Sequence, residues 1–134
     1  MKNLLLTIFI LANSSCVESK EDTCIYQIKN ENLYVKSVYW GINGNSRMVT
    51  VSLNKNSILP FEEQQETDIV YSGYFPIYLK LEKDTLFIYT YVLTKIPKNF
   101  HSVIKIKQIE IGNKENMMFM NDKNYIDIDK ICEL

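Results

Sequence analysis

The sequence has few of the residues on which active sites and metal centres are most often built. Histidine occurs once, as His101, and only four glycines are present. A metal centre made of histidines is therefore excluded, because such a centre needs several imidazoles. None of the glycines belongs to a GxGxxG or GxxxxGK[ST] motif, the loops that bind phosphate groups. We predict no catalytic residue, no metal and no cofactor.

An excess of charge of one sign is also missing. Fifteen basic side chains stand against sixteen acidic ones, which gives a formal net charge of -1. A protein that binds nucleic acid usually carries a basic patch or stripe. The sequence contains no such cluster, so nucleic acid is not a predicted partner.

Carboxylates occur in groups, but their surroundings are typical of a solvated surface. Residues 62–68 hold four of them, Glu62 and Asp68 among them. Nothing in that stretch would raise the pKa of one carboxyl above the others, as glycoside hydrolysis requires. Asp127 and Asp129 would share one strand face, but a calcium site takes about six to eight oxygen ligands. We interpret both groups as exposed side chains.

Long hydrophobic runs are absent except near the beginning of the sequence. An apolar run over residues 4–12 follows Lys2 and precedes the small polar residues 13–15, which is the layout of a signal peptide. As a helix this run would be about 14 Å long, against roughly 30 Å of bilayer hydrocarbon, so it is too short to span a membrane. We predict that residues 1–15 are a cleaved signal peptide.

The residues that follow, Ala12-Asn13-Ser14-Ser15-Cys16, resemble the lipobox of bacterial lipoproteins. The resemblance covers only the first sixteen residues, and Asn13 stands where the common pattern has an apolar residue. The looser lipoboxes of Bacteroidota-type bacteria accept this change. The resemblance implies that Cys16 is acylated and becomes the new N-terminus. The alternative is ordinary signal peptidase cleavage after Ser14.

The location and the domain boundaries follow from that resemblance. Residues 16–23 are polar and unpatterned, and we predict that they form a lipidated flexible tether, with a single domain over residues 24–134. Lys20-Glu21-Asp22 resembles the short acidic export signals of surface-displayed lipoproteins, which implies an outer-membrane protein with a lipid anchor, displayed on the cell surface. The alternatives are a solvated linker and a secreted or periplasmic soluble protein.

Cysteine is scarce, and its odd count favours the lipid. The chain has three cysteines, so a lipid on Cys16 leaves Cys24 and Cys132 as an even pair, whereas simple secretion leaves one thiol over. We predict a disulfide between Cys24 and Cys132, which would contribute up to about 4.7 kcal/mol in the chain-entropy model. Two unpaired thiols are the alternative.

The rest of the chain predicts an all-β, mostly antiparallel domain. Apolar and polar residues alternate in 49–53 and 77–82, and a turn at Lys83-Asp84 leads to the run 86–92, which we expect to be a central strand covered on both faces. Further strands are predicted at 25–28, 33–40 and 117–120, and at 104–111 with a bulge near Gln108. The total is about eight short strands, as in a small β-sandwich or an up-and-down barrel.

Little helix is expected. Residues 60–66 begin with Pro60, which suits a first helical turn. Residues 125–132 fit either a strand or a helix, and we favour the strand.

Aromatic residues are the abundant class, with nine tyrosines and six phenylalanines. The stretch 71–76 is unusually apolar for a segment interrupted by Gly73 and Pro76. We therefore predict a binding surface, because aromatic side chains offer large contact areas. The alternative is packing in the core. The predicted binding residues are Trp40, Tyr71, Tyr74 and Phe75, with Tyr78 beside them.

These observations favour a membrane-tethered, non-enzymatic binding or protective lipoprotein whose partner is an unknown protein or a glycan. An immunity-type lipoprotein that blocks a toxin is one form of this function. A small secreted hydrolase is the first alternative, and it requires His101 in a cleft with a polar partner. A carrier of an apolar ligand is the second, and it requires a barrel with an empty interior.

Overall fold

The computed structural model describes residues 20–40, 46–57 and 66–128. Two four-stranded sheets make up most of this part of the chain. The first sheet contains β1 (Lys20–Ile28), β2 (Glu31–Trp40), β3 (Ser46–Ser52) and β4 (Ile69–Ser72). The second contains β5 (Ile77–Glu82), β6 (Thr85–Thr90), β7 (Lys105–Glu110) and β8 (Ile126–Asp127), with the helix α1 (Asn113–Phe119) between β7 and β8.

Neighbouring strands of the first sheet follow one another along the chain, in the order β1-β2-β3-β4, and all of its pairs are antiparallel. The second sheet has the order β7-β6-β5-β8. Its pair β6 and β7 is parallel, so residues 91–104 cross back along the sheet before β7 begins. The predicted all-β, mostly antiparallel fold is confirmed. The eight described strands form two separate sheets and no closed barrel.

One apolar core lies between the two sheets. Strand alternation places Val35 and Val51 on the inner face of the first sheet, and Leu79 and Ile88 on the inner face of the second. All four are at most 1 % exposed, and they belong to one continuous cluster. The carrier alternative required a closed barrel around a ligand space. The described strands instead pack two faces together, as in a sandwich.

Two-residue turns connect the two long hairpins. Lys29 and Lys83 both have a φ of 55°, and the residues that flank each turn are paired, Ile28 with Glu31 and Glu82 with Thr85. Positive φ at the first turn position is typical of the turns that match the right-handed twist of a hairpin. The hairpin predicted around Lys83 is confirmed.

The outer side of the first sheet is held by buried polar groups. The Lys36 ammonium donates to the carbonyl oxygens of Lys55 at 2.6 Å and Ser57 at 2.8 Å, and it lies 3.2 Å from the Glu21 carboxylate. Because buried polar groups are stable only when they are hydrogen-bonded, these contacts fix the segment after β3 across the sheet.

Asp68 gives a second anchor for the same segment. Its carboxylate accepts hydrogen bonds from the hydroxyls of Ser52, at 2.8 Å, and Ser57. Asp68 is 5 % exposed, so the expectation of a solvated side chain was wrong for this residue. Glu66 is exposed, as expected. Residues 62–65 lie outside the described residues.

The domain begins earlier than expected. β1 starts at Lys20 and pairs residue for residue with β2, from Lys20 opposite Tyr39 onward. The prediction of a flexible tether up to residue 23 was therefore wrong for its last four residues. Their polar composition does not prevent strand formation, because the long β2 provides backbone partners for all of them.

Two other elements differ from the expectation. Residues 117–119 belong to α1 instead of a strand, because Met is a good helix former and the Glu115 carboxylate accepts the Gly112 amide at the beginning of the helix, at 3.1 Å. β7 pairs with β6 without interruption, so the bulge near Gln108 was also wrong. The isoleucines at even and at odd positions of β7 point to opposite sides of the sheet. β4 was not predicted, and β8 confirms only the beginning of the C-terminal strand.

We expect the substitution Lys36→Met to lower the free energy of unfolding by about 2 kcal/mol, because the carbonyls of Lys55 and Ser57 would lose their buried donor. Urea unfolding of the variant and the parent protein measures this difference. Lys95→Met is the matched control, since Lys95 is exposed, and it should change stability by less than about 0.5 kcal/mol. Equal stability of Lys36→Met and the parent would contradict the role of this ammonium.

We expect Tyr71→Phe to make the protein less sensitive to alkaline pH. Tyr71 is buried in the core, and burial raises the pKa of its hydroxyl above the ordinary value. Above a pH of about 10 the unfolded chain loses this proton while the folded chain keeps it, so the free energy of unfolding falls as the pH rises. Removing the hydroxyl removes this part of the fall. Urea unfolding between pH 8 and about pH 11 measures the slope.

At neutral pH the same substitution should not destabilise the protein. The Tyr71 hydroxyl has no hydrogen-bond partner among the described residues, and an unsatisfied buried hydroxyl costs about 1 kcal/mol or more. The control is Tyr74→Phe, which changes an exposed ring. A steeper alkaline loss of stability in Tyr71→Phe than in the control would refute this account.

Candidate functional site

The structure places the predicted binding residues in different environments. Tyr71 is 2 % exposed and pairs with Val49 on the inner face of the first sheet, so here the structure shows the core packing that the sequence left open. Tyr74 is 55 % exposed, and Phe75 is half-buried against the core. Trp40 is the last residue of β2, and its side chain lies outside the described residues.

Tyr74 is presented by a sharp turn between the two sheets. Gly73 has a φ of +119°, a conformation that favours glycine, and its amide donates to the Arg47 carbonyl at 3.1 Å. A Cβ atom at Gly73 would lie 3.2 Å from the Phe75 ring. The turn therefore directs Phe75 inward and leaves Tyr74 at the surface, where its ring lies 6.4 Å from the ring of Tyr39.

A small cleft opens beside this turn, and Arg47 lies at its base. Arg47 is 2 % exposed, and its guanidinium donates to the Phe75 carbonyl at 3.0 Å. The guanidinium carbon also lies 5.9 Å from the centre of the Tyr39 ring. The cleft has a volume of about 250 Å³ and is lined by Arg47, Tyr74, Phe75, Pro76, Tyr78, Asn116, Met120 and Asp127. Arg47, the single arginine of the chain, therefore fixes the turn through its hydrogen bond to the Phe75 carbonyl.

A larger aromatic surface covers the outward side of the second sheet. Five rings take part, and we call this surface the aromatic face: Tyr78, Phe87, Tyr89, Phe119 and Tyr125. The ring of Phe119 is the centre, at 4.9 Å from Tyr89 and 4.3 Å from Tyr125. The Tyr78 ring is buried beneath it, and the other four residues are half-buried.

Strand alternation and one helix bring these rings together. In β6, Leu86 and Ile88 point to the core, so Phe87 and Tyr89 must point outward. The helix α1 then packs across the sheet and supplies Phe119. It is fixed there by the Tyr78 hydroxyl, which donates to the Asn116 side chain at 2.6 Å.

Two lysines give the aromatic face a positive edge. The Lys80 ammonium lies 5.2 Å from the centre of the Tyr125 ring and 2.6 Å from the Glu82 carboxylate. The hydrogen bond to Glu82 raises the pKa of Lys80 above its ordinary value. The Lys107 ammonium lies 5.6 Å from the centre of the Phe87 ring. Such contacts between cations and rings are mildly favourable at exposed sites.

Sequence reasoning missed most of this surface. Phe87 and Tyr89 alternate with apolar core residues, which was a usable signal, but we expected the run 86–92 to be covered on both faces. β6 does lie centrally between β7 and β5, as predicted, yet its outward side is only partly covered. Phe119 was missed because residues 117–120 were predicted as a strand.

The arrangement that the hydrolase alternative requires is not found in the described residues. His101 is exposed, and it forms no hydrogen bond or ion pair with any other described residue. Within the same part of the chain, no group of three or more His, Cys, Asp or Glu side chains is placed to hold a metal ion. Asp129, the second residue of the calcium alternative, lies outside the described residues.

A wider groove runs along the free side of β4. It has a volume of about 640 Å³ and is lined by Glu66, Asp68, Val70, Ser72, Thr94, Lys95, Pro97, Lys98 and Asn99. Its walls are polar and carry both charges. The buried carboxylate of Asp68 is engaged by two serine hydroxyls, and Glu66 is exposed.

The residues predicted for covalent modification are only partly described. Cys24 is half-buried on β1 and packs against the core. Cys16 and Cys132 lie outside the described residues, so both the lipid and the disulfide stay predictions. In the described part of the chain, no helix is long and apolar enough to cross a membrane.

The comparisons with known proteins add no relative. No protein-family model matches the chain, and the comparisons with curated proteins and with solved structures found no match. The interpretation of the aromatic face therefore depends on its geometry alone.

Proposed function

We propose that this protein is a membrane-tethered, non-enzymatic binding lipoprotein that recognises a partner protein through its aromatic face. The observation that carries the proposal is the group of four half-buried rings that keep part of their surface open on the outward side of the second sheet. An aromatic ring that is left at the surface costs the fold apolar area that could have been buried. Its presence there is explained if a partner covers it.

The rings are well suited to protein recognition. Tyr and Trp are enriched among the residues that contribute most to protein interfaces, and Phe, Tyr and Met are enriched in interface centres. Here Phe119 packs against Tyr89 and Tyr125, so the rings are already ordered before a partner arrives. Binding to such a preorganised surface has a smaller entropic penalty.

The lysines at the edge indicate the chemistry of the partner. Lys107 lies beside an apolar centre, while the charge of Lys80 is balanced by Glu82, so the complementary surface has an apolar centre with an acidic group opposite Lys107. A protein fits this description better than a glycan. A sugar stacks on the open face of a ring, whereas the faces of Tyr125 and Phe87 are approached by these ammonium groups.

The lipobox-like residues before Cys16 support the tether. β1 begins at Lys20, so little chain separates the proposed lipid from the domain. The predicted disulfide is supported by the position of Cys24, which packs against the same core as Ile128. Ile128 is the last described residue and precedes Cys132 by a short distance along the chain.

Phe87→Ser tests the aromatic face. We expect it to weaken partner binding by about 30-fold, the effect of losing an interface residue that contributes about 2 kcal/mol. The measurement is photo-crosslinking capture from the surface of native cells, followed by titration of the captured partner. Ile25→Ser is the matched control, since Ile25 is 60 % exposed on the outward side of the other sheet.

The two variants must have the same urea midpoint as the parent before their binding is compared. Loss of the partner in Ile25→Ser and retention in Phe87→Ser would refute the aromatic face as the binding surface. Binding of a glycan array instead of a protein, with the same dependence on Phe87, would keep the site and reject the protein partner.

The intact mass of detergent-extracted native protein tests the tether and the disulfide together. We expect acyl mass on a chain that begins at Cys16, and a gain of one hydrogen for each of the two sulfurs on reduction. An unlipidated chain that begins at Ser15 would refute the lipid anchor. An unchanged mass on reduction would refute the disulfide between Cys24 and Cys132.

A further inference from the structure

The beginning of β1 marks one end of the sandwich, which we call the tether end. Lys20 pairs with Tyr39, and Tyr39 pairs with Arg47 on the next strand. The Tyr39 ring contacts Tyr74, and the cleft that contains Tyr74 and Arg47 is also bounded by Met120. The beginning of β1, the turn after β4 and the residue that follows α1 therefore lie together.

Two exposed apolar side chains line the cleft at this end, Tyr74 at 55 % and Met120 at 52 % exposure. Met117 and Met118 lie within one helical turn of Met120 on α1, and they are 69 % and 62 % exposed. We call these four residues the tether-end patch. None of them carries a charge. A group of exposed apolar side chains on a small domain marks a surface that meets a partner or a membrane.

The length of chain before β1 indicates which of these the patch meets. Four peptide links join Cys16 to Lys20, and they span at most about 14 Å when fully extended. The headgroup layer on each side of a bilayer is about 5–7 Å thick. If the Cys16 sulfur carries lipid, the tether end can therefore stand no more than about 10 Å above the bilayer surface.

We propose that the tether-end patch docks on the lipid bilayer that holds the anchor, an inference that rests on the proposed lipid at Cys16. Tyrosine is enriched at membrane interfaces, and methionine adapts its shape to irregular apolar surroundings. A patch of four side chains would hold a free protein only weakly. The anchor makes docking intramolecular, with an effective concentration in the millimolar range.

The charges near the patch define the kind of bilayer. Lys114 and Glu115 lie on α1 beside the methionines, and Arg47 and Asp127 line the cleft beside Tyr74. Each pair joins opposite charges, which offset each other. Docking therefore depends on apolar contact and not on anionic lipid, so it persists on zwitterionic vesicles and at high salt.

The fluorescence of Trp40 tests the docking. Trp40 is the single tryptophan, and it lies at the tether end, next to Tyr39 and opposite Ser46.

The protein for this experiment consists of residues 17–134, produced with an N-terminal hexahistidine tag and a Gly/Ser segment of about 20 residues, which reaches about 25 Å. This part contains the entire described core. It is held on phosphatidylcholine vesicles by a nickel-chelating lipid, with or without a lipid that carries a nitroxide on its headgroup.

We expect the nitroxide lipid to quench Trp40 in the parent protein, at low and at high salt. The double variant Met117→Ser with Met118→Ser should lower the docked population by about tenfold, because two exposed apolar side chains are lost. Val103→Ser is the matched control. Val103 is 47 % exposed, and its amide donates to the Glu31 side chain at the opposite end of β1. It should leave the quenching unchanged.

Equal quenching in the parent and in the double methionine variant would overturn the proposal, and so would an equal loss in Val103→Ser. Because the tag replaces the lipid, this outcome does not depend on acylation of Cys16. If Trp40 is quenched but the native protein carries no acyl mass, docking of the tether-end patch is supported and the lipid anchor is refuted. If the native protein carries acyl mass but Trp40 is not quenched, the lipid anchor is supported and docking of the patch is refuted.

Discussion

Side chains of successive strand residues point to opposite faces of a sheet, and in β6 this constraint sets both the core and the candidate site. Leu86 and Ile88 fill the space between the sheets, so the side chains of Phe87 and Tyr89 must lie on the outward side of the second sheet. A shift of one residue in the pairing with β5 would exchange the two sets. The burial of the core side chains therefore fixes the position of the outward rings. It also holds β6 in register with β5.

A second connection links the two sheets at the tether end. Arg47 belongs to β3, but its guanidinium donates to the carbonyl of Phe75, just before β5. This buried hydrogen bond joins β3 to the segment before β5, so it fixes the path of the chain between the sheets. The turn at Gly73, the cleft and the exposed ring of Tyr74 all depend on that path. The cleft and the exposed ring of Tyr74 at the tether end therefore both depend on Arg47.

Local patterns in the sequence were enough to predict β3 and β5, where apolar and polar residues alternate, and β6, which is a run of β-branched and aromatic residues without charge. They failed for the first four residues of β1, which are polar and become a strand only through pairing with β2. The helix α1 was missed because Met-Met-Phe-Met suits either element until the cap at Gly112 is known. The aromatic face was not predictable from a local window, since Phe87 is distant in the chain from Phe119 and Tyr125. The order of strands in the second sheet brings them together.

The parallel pairing of β7 with β6 bears on the order in which the aromatic face is assembled. Antiparallel hairpins close through local turns, whereas β7 pairs with β6 only after the crossover of residues 91–104, which is the slower kind of event. α1 and β8 follow β7 along the chain, so Phe119 and Tyr125 come from the part of the sheet with the less local contacts. A molecule with both hairpins formed but β7 still detached would therefore be compact and yet lack two of the five rings of the aromatic face.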